Sequence, residues 1–474
     1  MSHAATLPAI IQGGMGVGIS NWVLARAVSR SGHLGVVSGT VVDHVMVRRL
    51  ADGDEGGHVR RAMEAFPFPD VVAHVLDRYF KPNGREEGEP YPNLPMFRQT
   101  MKKARLQLTV LANFVEVHLA KEGHEGQVGI NLLTKVQMPN LASLYGAMLA
   151  NVDYVLMGAG IPREIPGVLD SFTRNEKASI RFDVEESGGF DCEYLEFDPA
   201  EQFDGPLPKL ERPKFLAIVA SNSLATMLLR KATGKVDGFI IEAPSAGGHN
   251  APPRGERRYD ENGEPVYGPR DEVDLEKFAR LGVPFWLAGG AGRKGRLQEA
   301  LDAGATGIQV GTLFAYCDES GLAESLRHRV IQQSLEGTVR VRTDDRASPT
   351  GFPFKVVELD ESLSEQPTYE RRNRVCDLGY LRTAFRTEKG RIGYRCASEP
   401  VETYVKKGGR LTDTEGRKCL CNALMSNLDR GQLRNGGSPE KPMLTSGDDL
   451  ENLGAFLSGR DSYTAQDVLD YLLS

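Results

Sequence analysis

The chain has 474 residues, with 57 Lys and Arg against 64 Asp and Glu, a formal charge of −7. Hydrophobic residues make up 40% and charged residues 26%, ordinary for a globular protein, so a disordered chain, a collagen-like fibre and a basic nucleic-acid-coating protein are excluded. Glycine is the outlier at 52 residues, clustered in short groups after apolar runs.

Eight such runs occur in order: PAIIQGG from Pro8, LGVVSG from Leu34, QVGINLL from Gln127, YVLMGAG from Tyr154, KFLAIVAS from Lys214, GFIIEAP from Gly238, PFWLAGG from Pro284 and GIQVGTLF from Gly307. Each is continuously apolar rather than alternating, as expected of a strand buried on both faces of a parallel sheet. Helical patterns lie between them. Asn21–Ser31 follows Ser20 as an N-cap and stops at Gly32; Pro139–Asn151, Asn222–Lys231, Val273–Leu281 and Lys294–Ala303 each sit between two strands. Eight strand–helix units predict an α/β fold, a (β/α)8 TIM barrel, with an open doubly wound sheet as the alternative.

Two stretches interrupt the rhythm. Residues 52–126 read as two or three helices plus the polar loop KPNGREEGEPYPN, and residues 178–212 as a β-excursion. The predicted organisation is a barrel over residues 1–350 followed by a C-terminal extension over 351–474. Within that extension, residues 371–435 carry 15 Lys and Arg against 7 Asp and Glu, an excess of 8 positive charges that suggests a separate module or a docked tail. The uncharged stretch from Ala4 to Ala25 holds Pro8, Gln12, Asn21 and four glycines and has no basic start, so neither a membrane span nor a signal peptide is expected. Six cysteines do not make a disulfide scaffold, and a reduced, cytoplasmic protein is the default expectation.

Ligands of a parallel barrel bind at the C-terminal ends of its strands, and a phosphate cradle is usual after strands seven and eight. Gly13 and Gly14, Gly247 and Gly248, Gly289 and Gly290, and Gly311 with Thr312 fall at those ends. The ordered set PAIIQGGMGVGIS, DGFIIEAPSAGGHN, GVPFWLAGGAG and GATGIQVGTLFA resembles the FMN-dependent nitronate monooxygenases, with the FMN-dependent enoyl-acyl-carrier-protein reductases as relatives. The resemblance spans roughly residues 8 to 350. It implies a (β/α)8 barrel holding FMN at the strand C-termini. Gln12, Gly14 and Met15 would lie against the flavin ring and Asn131 would make a polar contact to it. Gly247, Gly248, Gly289, Gly290, Gly311 and Thr312 would form the phosphate-binding turns.

His249 matches the family's active-site histidine in Gly-Gly-His. A histidine titrating near neutral pH suits proton abstraction from a carbon acid, or hydrogen bonding to an anionic nitronate. The implied activity is oxidation of alkyl nitronates with dioxygen to a carbonyl compound and nitrite. The alternatives are an NAD(P)H-dependent FMN reductase of an enoyl thioester or quinone, and a non-catalytic barrel binding a phosphorylated ligand. Here His249 is followed by Asn250, Ala251, Pro252, Pro253 and Arg254 rather than by X-Gly, and then by a polar stretch with the character of a hairpin lid. Arg254, Arg257 and Arg258 suit an anionic substrate or the pyrophosphate of NADPH. A small anionic substrate is expected, a homodimer is open, and no nucleic-acid or membrane partner is expected. Cys317 reads as a packed cysteine. Cys376, Cys396, Cys419 and Cys421 have the spacing C-x19-C-x22-C-x-C. Thiolate clusters of that kind can hold zinc or an iron–sulfur centre, but reduced structural cysteines are preferred and no metal is assigned.

Overall fold

The computed structural model describes residues 7–185, 192–434 and 436–474. All eight expected strands form: β1 (Ile10–Gln12), β2 (Gly35–Ser38), β3 (Val128–Leu133), β4 (Tyr154–Gly158), β5 (Lys214–Val219), β6 (Gly238–Glu242), β7 (Phe285–Ala288) and β8 (Gly307–Val310). They join in the parallel order β1-β8-β7-β6-β5-β4-β3-β2. The ring closes where Ile11 bridges Leu34, with the Gln12 amide donating to Leu34 O at 2.9 Å and the Leu34 amide to Ile10 O at 3.1 Å. The molecule is therefore a (β/α)8 barrel, not an open sheet.

The continuous apolar runs now have a cause. Alternate residues of one strand face opposite sides, so Tyr154 and Leu156 join Ile11, Val36, Leu216, Ile240 and Trp286 inside the barrel, while Val155 and Met157 pack outward on the helices. Trp286 Nε1 donates to Pro8 O at 2.7 Å beneath that inner core. The first helix is Trp22–Arg30, capped by Asn21, whose side chain accepts from the Leu24 amide. Ser20, the expected cap, is instead occupied by the Met15 amide, Gly13 O and Gln12.

The 52–126 insertion contains helices His58–Glu64, Pro69–Tyr79 and Lys103–Lys121, with a loop between the last two. In the 178–212 excursion, Ala178–Phe182 pairs antiparallel with Glu193–Phe197. The short strand Val184–Glu185 reaches across to pair in parallel with Thr383–Arg386 of the C-terminal extension.

That extension docks on its own barrel. The basic stretch is neutralised by acidic partners: Arg372 with Glu440 at 2.6 Å, Arg434 with Asp377 at 2.6 Å, Arg395 with Glu185 at 2.9 Å, and Arg386 with Glu193. Gln432 exchanges two hydrogen bonds with the Tyr91 backbone, 2.8 and 2.9 Å, and Tyr463 donates to Leu313 O at 2.7 Å. The final helix, Ala465–Leu473, lies against Trp22–Arg30. Leu450, Leu453, Val468 and Leu472 are buried in the same core as the barrel's outer face. Among the described residues no helix is long and apolar enough to cross a membrane.

Candidate functional site

A cavity of about 250 Å³ opens at the C-terminal ends of the strands, close to the lower end of the ~300–1,000 Å³ usual for small-molecule sites. Ten of the eleven residues singled out from the sequence line it: Gly14, Met15, Asn131, Gly247, Gly248, His249, Gly289, Gly290, Gly311 and Thr312. Gln12 does not. Its side chain turns into the seam between β1 and β2, accepting from the Val36 amide at 3.0 Å and donating to Ser20 Oγ at 2.7 Å. With its donor and acceptor both engaged, Gln12 holds the β1 loop in shape.

That loop runs tight against β3. A Cβ on Gly14 would lie 2.3 Å from Asn131 Cβ, so only glycine passes there. Asn131 Nδ2 donates to Gly14 O at 2.8 Å, which leaves Asn131 Oδ1 buried without a partner. Gln309, on β8, also lines the cavity and also has a buried, unpartnered Oε1. Two orphaned acceptors on one cavity are costly unless a donor reaches them.

His249 differs from its expectation. Burial, together with the nearby Lys135 ammonium, pushes its pKa down to about 4, so it is neutral rather than titrating near pH 7. Its Nε2 shares a 2.6 Å hydrogen bond with Ser348 Oγ, which in turn pairs with Thr350 Oγ1 at 2.8 Å. The ring meets Phe354 edge-on at 4.8 Å. Lys135 follows β3, lies over the Phe352 ring at 3.2 Å and has its pKa pushed down to about 8 by burial.

The group that titrates near neutrality is Glu242, which the sequence reasoning passed over. It ends β6, lines the cavity, and is pushed up to about 7 by burial alone. The available signal was a carboxylate closing an otherwise apolar strand, five residues before Gly247.

The expected anion cradle is shared with the extension. Gly289 and Gly290 are consecutive left-handed residues, φ +85° and +64°, on the cavity wall. Three neighbouring polar groups are already engaged, however. The Gly248 amide donates to Thr445 Oγ1 at 2.9 Å, the Gly292 amide to Asp449 Oδ2 at 2.9 Å, and Thr312 Oγ1 accepts from the Gly447 amide at 3.2 Å. The Asp449 carboxyl is pushed up in pKa, chiefly by burial. Tyr380, Leu420, Cys421, Leu444 and Ser446 also line the cavity, so its wall is completed by residues far along the chain.

The three loop arginines do not line it. Arg254 donates to Ala220 O and Arg270 O at 2.7 and 2.9 Å, pinning its own loop. Arg257 and Arg258 belong to a hairpin in which Tyr259 bridges Pro265, and Tyr259 donates to Asp345 at 2.6 Å. Cys317 is buried, donates to Phe314 O, and has its thiol pKa raised by burial.

A curated relative, (3aS,4S,5R,7aS)-5-hydroxy-7a-methyl-1-oxo-octahydro-1H-indene-4-carboxyl-CoA dehydrogenase of Mycobacterium tuberculosis (strain ATCC 25618 / H37Rv), is 34% identical over 91 residues, 19% of this chain. The match takes in 24% of that relative's length. Among solved structures, FabK from Thermotoga maritima is 16% identical at a TM-score of 0.47, covering 99% of this chain and 92% of its own. Nitroalkane oxidase from Streptomyces ansochromogenes is 15% identical at 0.44, covering 98% and 94%. The enoyl reductase domain of MlnA from Bacillus amyloliquefaciens is 12% identical at 0.47, covering 98% and 93%. The family model described as nitronate monooxygenase matches residues 193–384, from the excursion through β5–β8 and into the extension.

Proposed function

We propose that the chain is a flavin-dependent oxidoreductase of nitronate monooxygenase type, using FMN to oxidise small alkyl nitronates with dioxygen to a carbonyl compound and nitrite. The observation that carries the reading is the clustering of Glu242, Gly247, Gly248 and His249, one strand end and its loop, on the cavity wall within the family-matched stretch.

The cavity residues fit a flavin on two counts. The unpartnered Asn131 Oδ1 and Gln309 Oε1 suit a planar ring that carries an N–H between carbonyls. The left-handed Gly289–Gly290 turn lets an anion come close to bare backbone. Asp449, whose carboxyl holds the Gly292 amide, would set a negative charge beside an anion bound at that turn.

When bound, FMN would supply the electron transfer and the reaction with dioxygen; the protein supplies binding, orientation and electrostatics. Neutral His249, oriented by Ser348, offers one hydrogen bond at a fixed ring nitrogen to the nitro oxygens. The Lys135 ammonium, still mostly protonated at pH 7, supplies the positive field for an anionic substrate. Glu242 is the side chain able to take up or release a proton in the working pH range. The apolar walls from Met15, Val17, Ile218 and Leu424 exclude water from these groups.

A second reading is an NAD(P)H-dependent flavin reductase or dehydrogenase acting on a thioester, favoured by the 34% match to a CoA-ester dehydrogenase. Anaerobic addition of propionate-3-nitronate to the purified protein, followed in the visible spectrum, tests the first reading. Bleaching by nitronate alone supports it. Bleaching by NAD(P)H with none by nitronate supports the second, and a protein that is colourless and cannot be reconstituted with FMN refutes both.

A further inference from the structure

The helix Leu420–Ser426 belongs to the extension, and one of its faces lines the cavity. Leu420, Leu424 and the C-cap Asn427 follow the i, i+4, i+7 spacing that stacks side chains on one side of a helix. Leu444, further along the extension, and Val17 and Ile19, from the loop after β1, line the same cavity. Among the described residues lining it, none is Lys or Arg. An anionic group set against this wall would lose its hydration with no counter-charge, whereas an aliphatic group is favoured by leaving water.

Asn427 is the polar exception on this face, and it is held in place twice. Its backbone O accepts from the Ala323 amide at 2.8 Å, and its Nδ2 donates to Met443 O at 3.0 Å. With the side-chain nitrogen committed, Oδ1 is left as a buried acceptor without a partner among the described residues. Asn427 is only 2% exposed, so bulk water does not satisfy that oxygen, and an acceptor left in this way is costly unless a donor reaches it. Asn131 and Gln309, whose orphaned acceptors suit the flavin ring, sit on barrel strands. Asn427 lies beyond the family-matched residues 193–384, on a segment that adds a wall to the barrel's own site.

We propose that Asn427 is a specificity-determining residue. With Leu420, Leu424 and Leu444 it forms a subsite for an uncharged aliphatic part of the substrate that carries a hydroxyl or N–H, and Asn427 Oδ1 accepts that hydrogen. Calling the occupant a substrate rests on the function proposed above; the recognition of an aliphatic donor does not.

The test is calorimetric binding of two isomers, hexan-1-ol and methyl pentyl ether, to the full chain as purified. The two match in composition and size, but only the alcohol has a donor. The wild type should bind the alcohol about twofold to tenfold more tightly, the worth of one net hydrogen bond. Asn427→Leu should bind the two equally, and Leu424→Trp, which fills the space, should weaken both. Flavin content and thermal midpoint are read on the same samples. Equal affinities in the wild type, or binding of neither isomer, overturn the proposal without any variant having to fold. A preference that survives in Asn427→Leu, or a variant that loses flavin while keeping the preference, overturns it as well. Because no turnover is measured, failure here is distinct from failure of nitronate to bleach the flavin.

Discussion

Replacing Glu242 with glutamine removes one titrating carboxyl and nearly nothing else in shape. In the folded chain burial raises this carboxyl from 4.5 to about 7. The protonated form is therefore favoured by folding, and its contribution to stability is complete below pH 4.5 and lost as pH rises through 7. One pKa unit corresponds to ~1.4 kcal/mol, so the linkage relation gives about 2.5 kcal/mol lost between pH 5 and pH 8, an upper value because the side chain is only half-buried. Glu242→Gln cannot titrate and should lack this component. The assay is urea unfolding of wild type and variant at both pH values, comparing the change in unfolding free energy. The wild type should lose up to that amount more than the variant on going to the higher pH. Stability–pH curves that run parallel would refute the burial argument and, with it, the assignment of Glu242 as the neutral-range proton carrier.

Three further outcomes follow from the same geometry. His249→Ala should leave the protein folded and flavin-bound while slowing turnover of nitronate by ~10–10², the loss expected for one hydrogen bond to a charged group at ~1.5–3 kcal/mol; normal steady-state turnover would remove His249 from the chemistry. Gly247→Ala places a Cβ 2.8 Å from the Gly447 nitrogen, so the extension should lift from the cradle at a cost of ~1–3 kcal/mol, seen as a lower thermal midpoint and easier loss of flavin. Asp449→Asn keeps an acceptor for the Gly292 amide but removes its charge. FMN should then bind more tightly, and an unchanged or weaker dissociation constant by fluorescence titration would show that Asp449 does not face the phosphate.

The barrel was legible because its strands are buried on both faces, so each reads as an unbroken apolar run with a glycine near its end. The cavity's glycines were legible for a related reason: close passage of the chain, as at Gly14 against Asn131, admits no side chain. The state of His249 was not. Its type suggests a neutral-range titration, but the shift comes from enclosure and from Lys135, 114 positions earlier in the chain. Glu242 escaped notice because a carboxylate at a strand end ordinarily meets water freely, and only the cavity walls brought round it by the fold shield it in part.

The excess of positive charge at 371–435 was plain in composition, yet composition does not say what neutralises it. Glu185 and Glu193 come from the excursion and Asp52 from the first insertion, and nothing local joins them to Arg395, Arg386 and Arg430. The amino-acid order by itself determined the eight-strand ring and the family-like loops at its mouth, because local burial patterns and turn glycines are properties of short segments. That residues beyond 379 complete the cavity wall and take up part of the anion cradle came from the fold, because those contacts join segments far apart in the chain, where sequence spacing carries no distance information.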